Sequence, residues 1–589
     1  MSPAIDSRKP GSALLFALFY LVLLALHAPL LRLPYFWDEA GYYIPAARDL
    51  LLNGSLIPHS TLSNAHPPLV LAYLALAWKV FGYAPLVTRV TMLSIAAFSL
   101  LGIFRLARRV ANTDVAVAST LCTALYPVFF AQSSLAQVDL AAAGLIFWGL
   151  LAYVEGRVWT AAFWFCAAAL AKETAILAPL ALLAWHLIAK FLFRDVYLQG
   201  EEDAANQEGQ NFNSPTIPIL LSSRGARATR DPQFLLSPGN CRALLLPLIP
   251  LALWYTGHYL RTGFVFGNPE FFRYNVQATL RPLRILLAAG LRLWQVLGYL
   301  NLFLLTLAAG FAMWLPPLRD QHGERPRIAL PVQFCFAAVM VAYVLAMAVI
   351  GGAVLARYML PALPLMIILC ISTLWRRVQN WRPVVAVVML AFVVSLFINP
   401  PYGFSLEDNL AYRDYILLHQ RAEDFVESRY PTARVLTAWP ASDELTRPYL
   451  GYVPRPMRVV RIEDFTVDHL MATTELPASF DIALIFSTKY EPPHPWFERW
   501  SLWQQWKTEY FGYHRDVPPA VAAQILEGRL VYEERVEGQW VGVIAVEQIR
   551  EAEPSPNTQM PEILSNSGHS FLQIRQPERS QLASPWGLW

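Results

Sequence analysis

The chain has 589 residues, of which 56% are hydrophobic and only 15% are charged, and its mean hydropathy is +0.37. A soluble protein would have about 25% charged residues. The formal net charge of +3 is too small to indicate a nucleic-acid partner. Long apolar runs recur through residues 1–400, so the sequence predicts a polytopic α-helical membrane protein.

The first apolar run follows Arg8 and Lys9 and is about 20 residues long. It lacks a small-residue cleavage site before Pro34, so we interpret it as a retained transmembrane helix rather than a signal peptide. The cysteines argue against a disulfide framework or a cysteine-based metal site, because all five lie in or beside apolar runs without metal-ligand spacing. They are Cys122, Cys166, Cys241, Cys335 and Cys370.

Spanning the hydrocarbon core takes about 20 apolar residues, a length that predicts about eleven transmembrane helices. The fifth predicted span is short, and the eighth is long enough to require a tilt or a break. The predicted spans are 12–33, 86–106, 112–131, 139–154, 158–171, 174–193, 241–260, 285–313, 328–351, 357–375 and 382–398.

The arginines and lysines between these spans predict an orientation. If the spans alternate, the main basic groups all fall on one side, which the positive-inside rule makes cytoplasmic. The N-terminus is then cytoplasmic and the chain after residue 400 is outside, as expected for a multi-pass protein of a bacterial inner (plasma) membrane. Residues 195–240 are polar and predict a flexible cytoplasmic loop.

The first outer loop, residues 34–85, contains the sequence Trp37-Asp38-Glu39-Ala40 directly after a span. A predicted amphipathic helix continues to Asn53-Gly54 and would lie at the membrane interface. The sequence His66-Pro67-Pro68-Leu69 then leads into another apolar helix. Paired acids at this depth indicate a functional site. The alternative is that Asp38 and Glu39 only cap the following helix, because acids favour helix N-termini.

Further ionisable residues map to the same outer face. Asp139 opens the fourth span, Lys172-Glu173 separates the fifth and sixth, and Arg357-Tyr358 opens the tenth. Cations at this face run against the positive-inside bias, and an anionic ligand would explain them. The alternative for Lys172 and Arg357 is that their side chains extend to the interface only to reach water.

These residue types suit sugar transfer from a lipid phosphate. A carboxylate must deprotonate the acceptor, and cations must stabilise the departing phosphate. Asp38 is the candidate base, and Glu39 or Asp139 could orient the acceptor or the sugar. His66, Lys172 and Arg357 are candidates for binding the phosphate, for which the arginine fork is well shaped. Glu173, Tyr358 and Tyr42 are candidate supporting residues.

The ordered set of motifs resembles the GT-C superfamily of membrane glycosyltransferases, in its protein O-mannosyltransferase and ArnT-like branch. The resemblance covers roughly residues 10–400. It implies a polyprenyl-phosphate-linked sugar as donor, inversion at the anomeric carbon and the catalytic acidic residue at Asp38. Some members have lysine where this chain has His66, and a histidine can be neutral at pH 7. Many members need no metal, whereas the related oligosaccharyltransferases do. We expect no cofactor here; a divalent cation is compatible with the sequence but not indicated by it.

After residue 400 the composition becomes polar. Residues 407–429 predict an amphipathic helix, 433–439 and 481–487 predict buried strands, and 530–535 with 540–546 predict a hairpin. The sequence therefore predicts an extracytoplasmic α/β domain over residues 401–551. Residues 552–589 are rich in Ser, Pro, Asn and Gln, which predicts a disordered tail.

Two other functions are compatible with a membrane protein of this kind. A flippase or transporter for a lipid-linked sugar would be expected to carry charges in mid-span and symmetry between its halves. A non-catalytic membrane scaffold would not need Asp38. The expected partners are the lipid-linked donor, membrane lipid and an acceptor that is a protein, a lipid or a polysaccharide. The sequence identifies neither the sugar nor this acceptor.

Overall fold

A computed structural model describes residues 11–192, 238–321, 323–474, 479–492 and 499–546. The predicted disordered tail and nearly all of the predicted cytoplasmic loop lie outside the described residues. The described part of the first 400 residues consists almost entirely of helices. They are α1 Ser12–Leu26, α2 Ile44–Asn53, α3 Leu69–Phe81, α4 Pro85–Val110, α5 Thr113–Leu125, α6 Pro127–Gln132, α7 Asp139–Val154, α8 Val158–Ala171, α9 Leu177–Leu192, α10 Pro238–Leu245, α11 Leu248–Thr262, α12 Pro269–Asn275, α13 Pro282–Leu297, α14 Leu302–Ala312, α15 Leu330–Val349, α16 Leu363–Arg377 and α17 Trp381–Phe397.

Several of these helices have the length and composition of membrane spans. Within the described residues, four are long and apolar enough to cross a membrane, and seven apolar helices are shorter. Large apolar side chains on their outer surfaces are exposed, such as Leu18, Phe163 and Leu260, as expected where a surface faces lipid. The four long candidates are Pro85–Val110, Arg242–Thr262, Pro282–Ala312 and Leu330–Val349. The count of about eleven spans stays a prediction.

Proline and left-handed residues explain where helices differ from the predicted spans. The predicted span 112–131 is divided between α5 and α6 because Pro127 cannot continue the first helix. The long eighth span breaks between α13 and α14, as predicted, at Leu300 and Asn301, whose φ angles are +47° and +68°. The tenth span begins as a helix at Leu363 rather than at Arg357.

The C-terminal region combines helices with a mixed five-stranded sheet. Across the sheet its strands are β4 Arg458–Arg461, β3 Arg434–Thr437, β5 Ile482–Phe486, β7 Gln539–Val546 and β6 Gly528–Val536. Strands β4, β3 and β5 are parallel, and the β6–β7 hairpin adds antiparallel to β5. Its turn is Glu537-Gly538, both with positive φ, as a two-residue hairpin turn requires. The helices of this region are α18 Ala411–Arg429, α19 Ala441–Thr446, α20 Val467–Thr474, α21 Ser501–Phe511 and α22 Pro519–Ile525. Earlier in the chain, β1 Arg319–Asp320 and β2 Gly323–Glu324 form a separate antiparallel pair.

One hydrophobic core runs through both regions, from Leu23 in α1 to Ile544 in β7. The sheet region is therefore packed onto the helices rather than joined to them only by the chain. That residues 401–551 form a separate domain outside the membrane stays a prediction. The packing brings residues of α18 and of the loop before α19 against the first outer loop, and this contact positions the candidate site.

Candidate active site

Asp38 lies in a turn whose backbone is held by aromatic packing. The preceding residue, Trp37, has a left-handed backbone with φ of +43°, which is uncommon for a bulky residue. Its ring packs edge-on against Tyr415 and Trp439, with centroids 5.5 and 5.2 Å apart. Because Tyr415 and Trp439 belong to the C-terminal region, that region stabilises the strained turn and helps to place Asp38.

Glu39 has a different environment from its neighbour. Its side chain is fully buried and accepts hydrogen bonds from both terminal nitrogens of Arg89 and from the backbone amides of Phe36 and Ala136. Arg89 also donates to the Pro34 carbonyl at 2.7 Å. These contacts tie the first outer loop to α4 and to the segment before α7. The geometry favours a structural role for Glu39 over the predicted role beside the substrate.

Arg357 lies at the centre of the candidate site, in a short 3₁₀ turn before α16. One terminal nitrogen donates to Asp38 at 2.5 Å and the other to Glu407. Its Nε lies 3.4 Å from Asp139 Oδ2. One buried guanidinium therefore contacts three carboxylates that are far apart in sequence, and its planar fork suits such pairing.

Helix packing explains why Asp139 and Lys172 meet. Helices α7 and α8 are antiparallel neighbours, so the first residue of α7 and the residue after α8 lie at the same end. The Lys172 ammonium pairs with Asp139 Oδ1 and lies 4.2 Å from the centroid of the Tyr358 ring. This cation–π contact and the ion pair together stabilise a buried charge.

His66 and Glu173 form a second pair beside this network. His66 Nδ1 lies 3.0 Å from Glu173 Oε2, and Glu173 follows Lys172 directly. The imidazole is flanked by Tyr42 and Tyr43, with ring centroids 5.7 and 5.9 Å away. The two pairs therefore belong to one continuous site.

Glu407 is a site residue that the sequence analysis missed. It lies in a 3₁₀ turn, Leu406–Asp408, between α17 and α18, and it also accepts a hydrogen bond of 2.8 Å from Gln137. Burial raises the pKa of Glu407 to about 8, although Arg357 opposes that rise. The sequence assigned this residue to the start of an outer-domain helix, away from Asp38.

Two buried arginines that hold the site were also missed. Arg89 binds Glu39, as described above. Arg292 of α13 donates to the carbonyls of Leu355 at 2.6 Å and Ala353 at 3.1 Å, and so fixes the segment that leads to Arg357. A signal for both was available, because each is a charge within an apolar stretch of helix and such residues usually have a functional or structural partner.

Exposure shows which acidic group of the Arg357 network can take a proton from a substrate. The side chains of Asp38 and Glu173 are 20% and 25% exposed, and His66 is 10% exposed. The side chains of Asp139, Glu407 and Arg357 are 4% exposed or less. Asp38 is thus the carboxylate of the Arg357 network that is best placed to take a proton from a substrate.

The carboxylates around Arg357 are paired with its guanidinium. Asp38 has exposed surface and is the group of this network most open to a divalent cation. In the part of the chain that the structure describes, the one group of three His or acidic residues whose ligand atoms lie within 4.8 Å of one another is elsewhere, at His419, Glu423 and Glu444.

Part of this site lies in a segment whose sequence is similar to a known protein family. A family model described as dolichyl-phosphate-mannose-protein mannosyltransferase matches residues 65–199, a segment that includes His66, Asp139, Lys172 and Glu173. The resemblance predicted from the motifs is confirmed. The match covers less than a quarter of the chain and includes neither Asp38 nor Arg357. No curated protein is significantly similar to this chain in sequence.

Several solved structures align with most of this chain at low sequence identity. ArnT from Cupriavidus metallidurans bound to undecaprenyl phosphate is 13% identical with a TM-score of 0.48, covering 90% of this chain and 98% of that one. The Archaeoglobus fulgidus oligosaccharyltransferase AglB, in complex with an inhibitory peptide and a dolichol-phosphate, is 12% identical with a TM-score of 0.39, covering 91% and 74%. The A. fulgidus oligosaccharyltransferase in complex with Zn and sulfate is 13% identical with a TM-score of 0.40, covering 80% and 67%.

Proposed function

We propose that this chain is an inverting glycosyltransferase that moves a sugar from a polyprenyl-phosphate donor to an acceptor at the outer face of a bacterial inner membrane. The observation that carries the proposal is the convergence of one partly exposed carboxylate, Asp38, with two buried cations, Arg357 and Lys172. The similarity of residues 65–199 to dolichyl-phosphate-mannose-dependent enzymes supports the reaction class and a lipid-phosphate donor.

In this proposal the Asp38 carboxylate accepts the proton of the acceptor hydroxyl. The hydroxyl oxygen then attacks the anomeric carbon from the face opposite the phosphate. As the new bond forms, the bond from the anomeric carbon to the phosphate oxygen breaks, and its electron pair leaves with the phosphate. A single displacement of this kind inverts the anomeric configuration. Arg357 holds the carboxylate through the contact between its Nη2 and Asp38 Oδ2.

The leaving phosphate needs positive charge and no proton. Lys172, Arg357 and His66 are the proposed partners, with Glu173 orienting His66 through the 3.0 Å contact to its Nδ1. Lys172 and Arg357 already share Asp139, so they are ordered before the donor binds. Such preorganised cations lower the barrier because they do not have to reorient as charge develops on the phosphate. Tyr42, Tyr43 and Tyr358 line the same region.

The proposed architecture places the catalytic module in residues 1–400 and an outer domain in residues 401–551. The N-terminus would be cytoplasmic and the site extracytoplasmic. Because α2 buries Ala46 and Ala47 and begins at Ile44, close after Asp38, we propose that the first outer loop forms one wall of the groove for the lipid tail. No metal is required by this mechanism, since the charges named above are supplied by side chains.

The test is transfer of radiolabelled sugar from synthetic polyprenyl-phosphate donors by the purified full-length protein in detergent. The expected result is transfer, or slow donor hydrolysis, with a product of inverted anomeric configuration by NMR. Donor bound without turnover, combined with movement of the lipid across a vesicle bilayer, would instead establish a flippase. If the protein neither binds nor turns over any common donor, the proposal is wrong.

A further inference from the structure

A second group of ionisable side chains lies in the core of the C-terminal region, away from the proposed active site. His419 and Glu423 are four residues apart on α18, so their side chains extend from one face of the helix. Glu444 approaches them from the neighbouring helix α19. All three residues are 1% exposed or less. Aromatic rings cover the imidazole, with the centroids of Tyr415 and Phe486 only 3.9 and 4.5 Å away.

The polar atoms of this group are short of partners. His419 Nδ1 lies 2.7 Å from Glu444 Oε2 and 3.9 Å from Glu423 Oε1. Among the described residues, no donor group reaches either carboxylate oxygen of Glu423 or Glu444 Oε1, and the carboxyl groups of Glu423 and Glu444 face each other. A buried carboxylate without a partner costs several kcal/mol, so it must take up a proton or face a cation.

A second cluster of His and Asp side chains in the C-terminal region includes a lysine. His514 lies between Asp464 and Asp516, with Nε2 to oxygen distances of 3.9 and 3.8 Å. There the Lys489 ammonium donates to His514 Nδ1 at 3.1 Å and supplies the positive charge. No lysine or arginine contact is made by His419, Glu423 or Glu444 within the described residues.

We propose that His419, Glu423 and Glu444 bind one divalent transition-metal ion of the zinc class. An imidazole and two carboxylates are a ligand set that zinc accepts, and two carboxylates neutralise its charge. Zinc ligands lie about 2.1 Å from the ion and thus at most about 4.2 Å from one another. The ligand atoms of the three residues lie within 4.8 Å of one another, so small side-chain rotations complete the geometry.

The place of this site in the fold assigns it a structural role. Helix α18 begins just after Glu407, and α19 begins just after Trp439, whose ring packs on Trp37. A metal ion bound to both helices would fix the position of Glu407 relative to the turn that carries Asp38. The ion would thus act on the proposed active site as a positioning element, without touching the substrate.

The experiment measures transition metals by mass spectrometry in the full-length protein, purified in detergent from cells grown with added zinc and washed with EDTA. We expect the wild type to retain one zinc ion per chain, because the site is closed to solvent. Glu423→Gln keeps the shape of the side chain and removes its charge, so this variant should retain almost none. His469→Gln is the matched control, because His469 pairs with Asp464 in the same region at a partly exposed position.

Two results would overturn the proposal. The first is a wild type that contains no stoichiometric metal, which would assign the cluster to a shared proton between the two glutamates. The second is equal metal content in the wild type and in Glu423→Gln, which would place the ion elsewhere. Should Glu423→Gln not fold, the wild-type metal content still decides the question by itself.

Discussion

At the scale of single residues, the arrangement around Arg357 depends on the shape of a guanidinium as well as on its charge. Its two terminal nitrogens reach Asp38 and Glu407 at the same time, and Nε faces Asp139. A lysine ammonium would be a point charge on a flexible stem and could not hold the three carboxylates in one plane. The fork is therefore expected to set the position of the Asp38 oxygens.

Arg357→Lys tests this role. We expect turnover to fall by about 100-fold, because the base is misplaced although the charge is kept. Arg382→Lys is the matched control, since that arginine side chain is 73% exposed and should tolerate the change. Steady-state kinetics with a lipid-linked donor would measure both. Turnover of Arg357→Lys equal to that of the control would contradict the positioning argument.

Asp408 predicts a pH-dependent stability. Burial raises its pKa to about 7, while a 2.7 Å hydrogen bond from the Tyr299 hydroxyl opposes the rise. The folded protein therefore holds a proton that the unfolded chain releases between about pH 4 and 7, so stability falls as pH rises through that window. The effect is at most about 4 kcal/mol.

The measurement is the Tm of the wild type and of Asp408→Asn in detergent between pH 5 and 8. The wild-type Tm should decrease towards pH 8, and the variant should show a shallower decrease, because Asn does not titrate. Asp424→Asn, at an exposed position of α18, should behave like the wild type. A wild-type Tm that rises with pH in this range would show that Asp408 is not protonated in the fold.

Among the contacts between structural elements, the one between the first outer loop and the loop before α19 has the largest effect on the position of Asp38. We call this contact the joint. A Cβ atom added at Gly41 would lie 2.6 Å from Cζ2 of the Trp439 ring. Only glycine permits this approach, and the same tryptophan supports Trp37 beside Asp38. The element that carries the proposed base is thus positioned by tight packing.

Gly41→Ala should lower stability by about 1–3 kcal/mol, because the added methyl overpacks the joint, and it should reduce turnover by displacing Asp38. Gly290→Ala is the control, since a Cβ at that helical position meets nothing within 4 Å and should leave stability unchanged or improve it by under about 1 kcal/mol. Thermal unfolding and a transfer assay measure both effects. Equal Tm values for the two variants would contradict the packing account.

The sequence predicts one contact of the candidate site and not another, and the chain topology explains the difference. Asp139 and Lys172 were predicted at one face because they end two consecutive antiparallel helices, and their contact follows from that topology. The approach of Asp38 and Arg357 joins residues 319 positions apart, and Glu407 completes it. No local pattern encodes such a meeting, because it depends on how the C-terminal region packs on the helices.

For the complete chain, the proposed orientation in the membrane decides on which side of the membrane the active site lies. The basic groups predict a cytoplasmic N-terminus, and the ionisable residues of the site lie at the opposite end of the helices. Asp114 lies on the predicted cytoplasmic side, and Asp424 on α18 lies on the predicted outer side. Both residues are exposed.

Single cysteines at these two positions test the orientation in a background that lacks the native cysteines. Asp424→Cys should react with a membrane-impermeant maleimide in intact spheroplasts, whereas Asp114→Cys should react only after permeabilisation. The alternation of spans implied by the positive-inside rule predicts this difference. The reverse pattern would place the site in the cytoplasm and contradict the proposed function at the outer face.

Single-turnover transfer by Asp38→Asn beside Asp114→Asn tests whether Asp38 acts as the base in sugar transfer. Asn keeps the size of the side chain and cannot accept the proton, so transfer should slow by at least about 100-fold. Donor binding and Tm should stay close to those of the wild type, and Asp114→Asn should be fully active. Transfer by a folded Asp38→Asn variant at the wild-type rate would show that Asp38 is not the base.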